Sequence, residues 1–209
     1  MVQQKKKKTV HRKKKSRQRR FFPSRILIAL FIVFFVFFGT LTILGKSIIE
    51  PLNSSREKEE FIVQLSGHAK TLQKEHDLLP SISIGQAILE SDWGTSELAT
   101  ENKNLYGIKG SDPNNTAMMQ TKEFVEGEWI EIEAPFRKYE SWQQSMDDHV
   151  LLFVNGTNWN ADQYTAVLAA DNYKEAAQAL QDNGYATDPT YAKKLINLIE
   201  QYQLHQYDD

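Results

Sequence analysis

Nineteen consecutive residues, Ile26 to Leu44, carry no charge and only two hydroxyl groups, at Thr40 and Thr42. A helix over this run, at about 1.5 Å per residue, would be about 28 Å long, close to the roughly 30 Å hydrocarbon core of a bilayer. Such a helix is apolar on every face and has to be buried all round, so it divides the chain. The 25 residues before it contain 12 Lys or Arg (Lys5 to Lys8, Arg12, Lys13 to Lys15, Arg17, Arg19, Arg20 and Arg25) and no acid. Lys and Arg are held on the cytoplasmic side of a single span. The pattern therefore predicts a basic cytoplasmic tail over 1–25, a transmembrane signal anchor over 26–45 and a polar stalk over 46–60. A folded domain over 61–209 then lies outside the cell membrane.

A basic stretch alone can bind nucleic acid. Directly before an apolar span, its role is topology and contact with lipid headgroups. A cleaved signal peptide would have an apolar region of about 7 to 15 residues and an Ala-x-Ala-like site after it; this run is longer and no such site follows. The overall charge of −2 hides an asymmetry, because positions 26–209 hold 13 basic and 27 acidic residues, a net of −14. An acidic exported domain has no electrostatic grip on nucleic acid or anionic wall polymers. With no cysteine there is neither a disulfide framework nor thiol chemistry. The outer domain must then be held by its own core, for which about 150 residues suffice.

Within 61–209 the apolar spacing is mostly helical. Phe61, Leu65, His68 and Leu72 mark a helix over about 56–76. Leu79-Pro80-Ser81 interrupts it, with Ser81 placed to cap a second helix over 82–91. On that helix Ser83, Ala87 and Glu90 share one face, where small residues beside an acid leave room for a ligand. Alternation over Met118 to Val125 and Trp129 to Glu133, around Glu126-Gly127-Glu128, predicts a β-hairpin over about 120–138. Helices return over 141–154, about 163–170, 173–182 and 190–203, the last with a broad apolar stripe. One hairpin interrupting a helical domain is an α+β arrangement.

Glu90 is the candidate for chemistry. It stands near the end of a short apolar helix, in Ala87-Ile88-Leu89-Glu90-Ser91-Asp92-Trp93-Gly94. A carboxyl group in a half-dry corner has its pKa raised and can donate a proton to a sugar leaving group. Taken alone, Glu90 equally suits a helix-end carboxylate bonded to a backbone amide.

Four blocks occur in order: Glu90 to Ser96, Asn104-Leu105-Tyr106-Gly107-Ile108-Lys109-Gly110, Phe136-Arg137-Lys138-Tyr139-Glu140-Ser141 and Gly184-Tyr185-Ala186-Thr187-Asp188-Pro189. Together they resemble the glucosaminidase domain of glycoside hydrolase family 73, a family that includes bacterial autolysins and the muralytic half of the flagellar rod-cap protein. The resemblance covers about residues 61–204. It implies a lysozyme-like fold, a helical lobe and a small β-lobe with a glycan groove between them. It also implies hydrolysis of the β-1,4 bond after N-acetylglucosamine in peptidoglycan glycan strands, with no metal and no cofactor. The chain carries no Cys/His metal spacing and no phosphate-binding glycine loop, in agreement.

By that resemblance Glu90 is the general acid, and an acid on the first hairpin strand, Glu123, is the second carboxylate that activates water or stabilises the oxocarbenium-like transition state. Glu126, Glu128, Glu131 and Glu133 are its neighbours and alternatives. Participation of the substrate's own N-acetyl group would lessen the need for a base. Tyr185 matches a tyrosine that lines the groove and orients the N-acetyl group or a water. Trp93, Asn104 and Tyr106 are candidate substrate contacts; Trp93 and Tyr106 suit core packing equally, and Asn104 suits loop fixing. His68, His76 and His149 have no matched partners and are read as structural or exposed. Muramidases and lytic transglycosylases place a Glu-Ser pair at an equivalent helix end and cleave after N-acetylmuramic acid, and a non-catalytic glycan-binding module is the remaining alternative. The Phe31, Phe34, Phe35, Phe38 face of the span suits lipid, or the helix of a membrane-protein partner.

Overall fold

The computed structural model describes residues 49–125 and 128–209, with side chains at 49–53 and 122–129 set aside. The tail over 1–25, the span over 26–45 and the first residues of the stalk lie outside the described residues. No helix among the described residues is long and apolar enough to cross a membrane.

Helix α1 (Ile49–His76) begins earlier than its apolar spacing predicts, so the residues read as a stalk are helical from Ile49 onward. Pro51 falls in its first turn, where a missing N–H has no helical acceptor to lose. Its buried stripe is Phe61, Leu65, Ala69 and Leu72, spaced for one helix face. Helix α2 (Pro80–Ser91) is the central element, with every residue from Pro80 to Ile88 buried. A Cβ at Gly85 would lie 2.7 Å from Leu195 Cδ1, so glycine is what lets helix α7 (Tyr191–Gln201) approach α2 this closely.

Ser81 does not cap α2 as expected. The helix opens at Pro80 after Leu79, with no local side-chain cap. Ser81 instead donates its N–H to Asp208 Oδ1 (2.8 Å) and its hydroxyl to Asp208 Oδ2 (2.7 Å). A carboxylate at the far end of the sequence thus satisfies the orphan donors that a local Ser or Asp would satisfy elsewhere.

A short helix α3 (Glu97–Asn102), unforeseen in the apolar spacing, is capped by Ser96, whose Oγ accepts from Ala99 N. Strands β1 (Thr116–Val125) and β2 (Glu128–Arg137) form the single antiparallel hairpin among the described residues, longer at its base than predicted. The loop after α3 joins the outer edge of β2, with Arg137 N donating to Ile108 O (2.8 Å) and Gly110 N to Pro135 O (3.1 Å). Pro135, which has no N–H, is accommodated because the sheet ends at this edge. The remaining helices are α4 (Trp142–Asn155), capped by Ser141, α5 (Thr165–Leu168) and α6 (Tyr173–Asp182). One core unites α1, α2, α4, α6 and α7, and a small second cluster of Leu98, Ala134 and Phe136 seats the hairpin base on α3. The arrangement is the expected α+β one.

Candidate active site

Helix α2 stops at Ser91 because the chain turns left-handed over three residues, Asp92 (φ 49°), Trp93 (φ 62°) and Gly94 (φ 73°). Buried Ser91 holds this turn, its Oγ donating to Ala87 O (2.5 Å) and accepting from Gly94 N (2.7 Å). A Cβ at Gly94 would meet Phe61 at 2.6 Å and Trp142 at 2.9 Å, so the turn presses onto the α1–α4 core and only glycine fits. Glu90 is left in the last turn of α2, partly exposed.

Burial of its carboxyl pushes Glu90 up from the ordinary carboxylate range to about 7, because removing water disfavours the charged form. A hydrogen bond from the Tyr191 hydroxyl to Glu90 Oε1 (3.5 Å) acts in the opposite direction and is outweighed. Beneath Tyr191 lies Gln86, fully buried one helical turn before Glu90, whose Nε2 donates to the Tyr191 hydroxyl (3.1 Å).

Tyr185 was expected to line the groove. It is instead 2% exposed, on the core side of this corner, its ring stacked on Phe153 and 5.5 Å from that of Tyr191. Its hydroxyl shares a 3.1 Å hydrogen bond with His149 Nε2. Burial, then the nearby Tyr191 and Glu90, hold the phenol well above its usual range. His149 is thus structural, one of the two readings its sequence allows, and its partner is Tyr185. It is buried, stacked on Tyr106 at 3.7 Å, and burial pushes its pKa down to about 3, so the ring is neutral. His68, also read without a partner, pairs with Asp147 at 2.6 Å.

Three expected substrate contacts have internal partners. Asn104 is 1% exposed. It donates from Nδ2 to Ile108 O and Arg137 O (both 2.9 Å) and accepts at Oδ1 from Ile108 N (3.0 Å). It pins the loop to the hairpin base and has no atom left for a ligand. Tyr106 is buried, its hydroxyl bonded to Ser83 Oγ (3.2 Å). With Ala87 also fully buried, the Ser83–Ala87 side of α2 is filled by protein and is not the ligand space that its small residues suggested. Trp93 is half-buried, edge-on to Tyr202 at 4.6 Å, with the Lys58 ammonium 4.9 Å over its ring.

Glu123 lies on β1 opposite Ile130. Alternation places it on the same hairpin face as Thr121, Met119, Ile132 and Ala134, the face seated on Leu98. That face opens toward the tip, from Ala134 at 4% exposed to Ile130 at 40%. Glu128, opposite Val125, shares it, whereas Glu131 and Glu133, opposite Lys122 and Gln120, fall on the other face and are exposed. An open cavity of about 420 Å³ between the hairpin base and α4 is lined by Arg137, Tyr139, Asp147 and Asp148 and does not include Glu90. Its Arg137–Asp148 pair is mutually neutralised at 2.5 Å, and we do not place the chemistry there. Among the described residues no cluster of His and acidic side chains could hold a metal ion.

A proton-bearing carboxyl at a helix end, beside a helical core and a small hairpin, defines the site of a lysozyme-like glycoside hydrolase. The glucosaminidase family model, described as mannosyl-glycoprotein endo-beta-N-acetylglucosaminidase, matches residues 66–204, and the chain belongs to that family. It is similar to the exo-glucosaminidase LytG of Bacillus subtilis (50% identical over 175 residues, 81% of this chain and 62% of the relative). A probable N-acetylmuramidase of Lactococcus lactis is 33% identical over 178 residues, 81% of this chain and 40% of the relative. The chain thus spans less than two thirds of the length of either relative. The catalytic domain of the autolysin Auto from Listeria monocytogenes superposes with a TM-score of 0.68 at 38% identity, covering 79% of this chain and all of that one.

Proposed function

We propose that the chain is a membrane-anchored peptidoglycan hydrolase that cleaves the β-1,4 bond after N-acetylglucosamine within glycan strands. The observation that carries this reading is the Glu90 carboxyl, held near pKa 7 by burial at the end of α2. Such a group carries its proton through mildly acidic pH, where an ordinary glutamate is ionised, and can deliver it to the departing glycosidic oxygen as the C–O bond breaks. Glu123, at the β1 position opposite Ile130, takes the second role, drawing a proton from the attacking water or balancing the oxocarbenium charge. The substrate's N-acetyl group would share that task if it attacks first. Tyr185 acts from behind the acid, on the core side, and not as a groove wall.

The family model supports an endo-acting glucosaminidase. The exo-glucosaminidase and muramidase names of two relatives define the competing bond choices. Membrane anchoring is supported by the charge and hydropathy pattern of 1–45. An anchor there restricts reach and makes nascent, membrane-proximal strands the substrate; activity confined to detached mature wall fragments would count against that role.

The test uses the full-length chain and its Glu90→Gln variant on purified peptidoglycan, with products reduced by borohydride and new chain ends identified by mass spectrometry. Internal N-acetylglucosaminitol ends from the wild type, absent with Glu90→Gln, are expected. Single terminal sugars would make the enzyme exo-acting, and muramitol or anhydromuramic ends would move the bond. No cleavage by either form would favour a glycan-binding module.

A further inference from the structure

Gln86 is fully buried, yet the mechanism above gives it no task. It lies four residues before Glu90, on the same side of α2. Its amide orientation is informative. Nε2 donates to the Tyr191 hydroxyl at 3.1 Å, while Oε1 is buried without a partner. Reversing the amide would point Oε1 at Tyr191 and orphan an NH₂ group with two donors. Reversal would also draw the Tyr191 proton toward Gln86 and away from Glu90. In the orientation present, Tyr191 oxygen receives a hydrogen bond from the core side, and its own O–H remains free to point at Glu90 Oε1, 3.5 Å away. Donors linked in series polarise one another, so the amide both aims and strengthens the second bond.

We propose that Gln86 is a positioning residue for the reaction: through Tyr191 it aims a hydroxyl proton at Glu90 and so holds the acid in one rotamer and sets how readily it gives up its own proton. The inference rests on Glu90 being the general acid. The hydrogen bond from Tyr191 favours the ionised carboxylate and thus moderates the upward push of burial. The other ionisable group set against Glu90 from its core side is Tyr185, between α6 and α7, and Glu123 of the hairpin is the second acid of the reading. The arrangement joins α2 to α7, and Gly85, beside Gln86, is what brings those helices close enough for the amide to reach.

The experiment compares the full-length chain with Gln86→Met, Tyr191→Phe and the double variant, following kcat against pH on peptidoglycan. Gln86→Met keeps the side-chain volume and loses the donor. The descending alkaline limb, where Glu90 deprotonates, should move to higher pH in both single variants, by about half a pH unit in Tyr191→Phe and less in Gln86→Met. The double variant should match Tyr191→Phe alone, because Gln86 acts only through that hydroxyl. A purely structural role would lower the amount of active enzyme and leave the limb where it is. An unmoved limb in Gln86→Met, or additive shifts in the double variant, would overturn the proposal. Were Gln86→Met not to fold, an unmoved limb in Tyr191→Phe would overturn it equally. Full activity in Glu90→Gln would instead remove the reading on which it rests.

Discussion

The two acids of the reading sit in contrasting surroundings. Glu90 stands in the last turn of a helix buried from Pro80 to Ile88, with the Tyr191 hydroxyl beside it and the Gln86 amide behind that hydroxyl. Glu123 is on a two-stranded hairpin that meets the helical body through the small cluster of Leu98, Ala134 and Phe136. A proton donor needs a dry, fixed site so that its pKa stays raised. A group that activates water needs solvent and room for the substrate, which a strand projecting past its packed base provides. The fold thus divides the labour, setting the acid at the end of a packed helix and carrying its partner on an arm.

The largest effect that could break this comparison is on the arm. Glu123→Gln should lower kcat about a hundredfold, within the usual range for a general base, and Glu133→Gln, on the opposite face, should change it less than about twofold. Equal losses at both positions would show that the face argument is wrong. A smaller effect tests the body. Asp208→Ala removes the distant cap from α2 and should cost about 1 kcal/mol of stability, as for other helix caps, read as a thermal midpoint lower by a few degrees. Glu90 lies about 15 Å along the helix from that cap, so the pH dependence of kcat should be unmoved. A shifted profile would mean that the cap positions the acid as well as the helix.

Much of this was legible in the sequence, and the exceptions have physical reasons. Helix α6 runs over Tyr173–Asp182 as its apolar spacing predicts, because its buried face of Ala176, Ala177 and Leu180 is local information. Glu90 stands out as a candidate by the apolar helix and glycine turn around it, and its assignment as the acid comes from the resemblance. The cap on Ser81 was misread because its partner, Asp208, is 127 residues away. Tyr185 is placed on the groove by the resemblance, while Tyr106 suits core packing and Asn104 loop fixing as well as they suit a ligand, because their blocks adjoin the site. The structure turns all three inward, where each polar group has a protein partner. Nothing in a lone histidine shows that His149 stacks on Tyr106 and bonds Tyr185, since those contacts cross from α4 to two separate loops. Tyr191 and Gln86 are absent from the sequence reading although a signal is present: a long polar side chain one turn before a candidate acid, on a mostly apolar helix, has to find a buried partner. Helix α3 has six residues, too few for a period to show.

The measurement that bears most directly on the central claim is the dependence of kcat on pH for the full-length chain on purified peptidoglycan. With Glu90 protonated up to about pH 7, the rate should hold through mildly acidic pH and fall about tenfold for each further unit above the limb. A rate that starts to fall near pH 4.5, the value for an unshifted glutamate, or one that stays level through pH 9, would contradict the assignment of the buried Glu90 carboxyl as the proton donor.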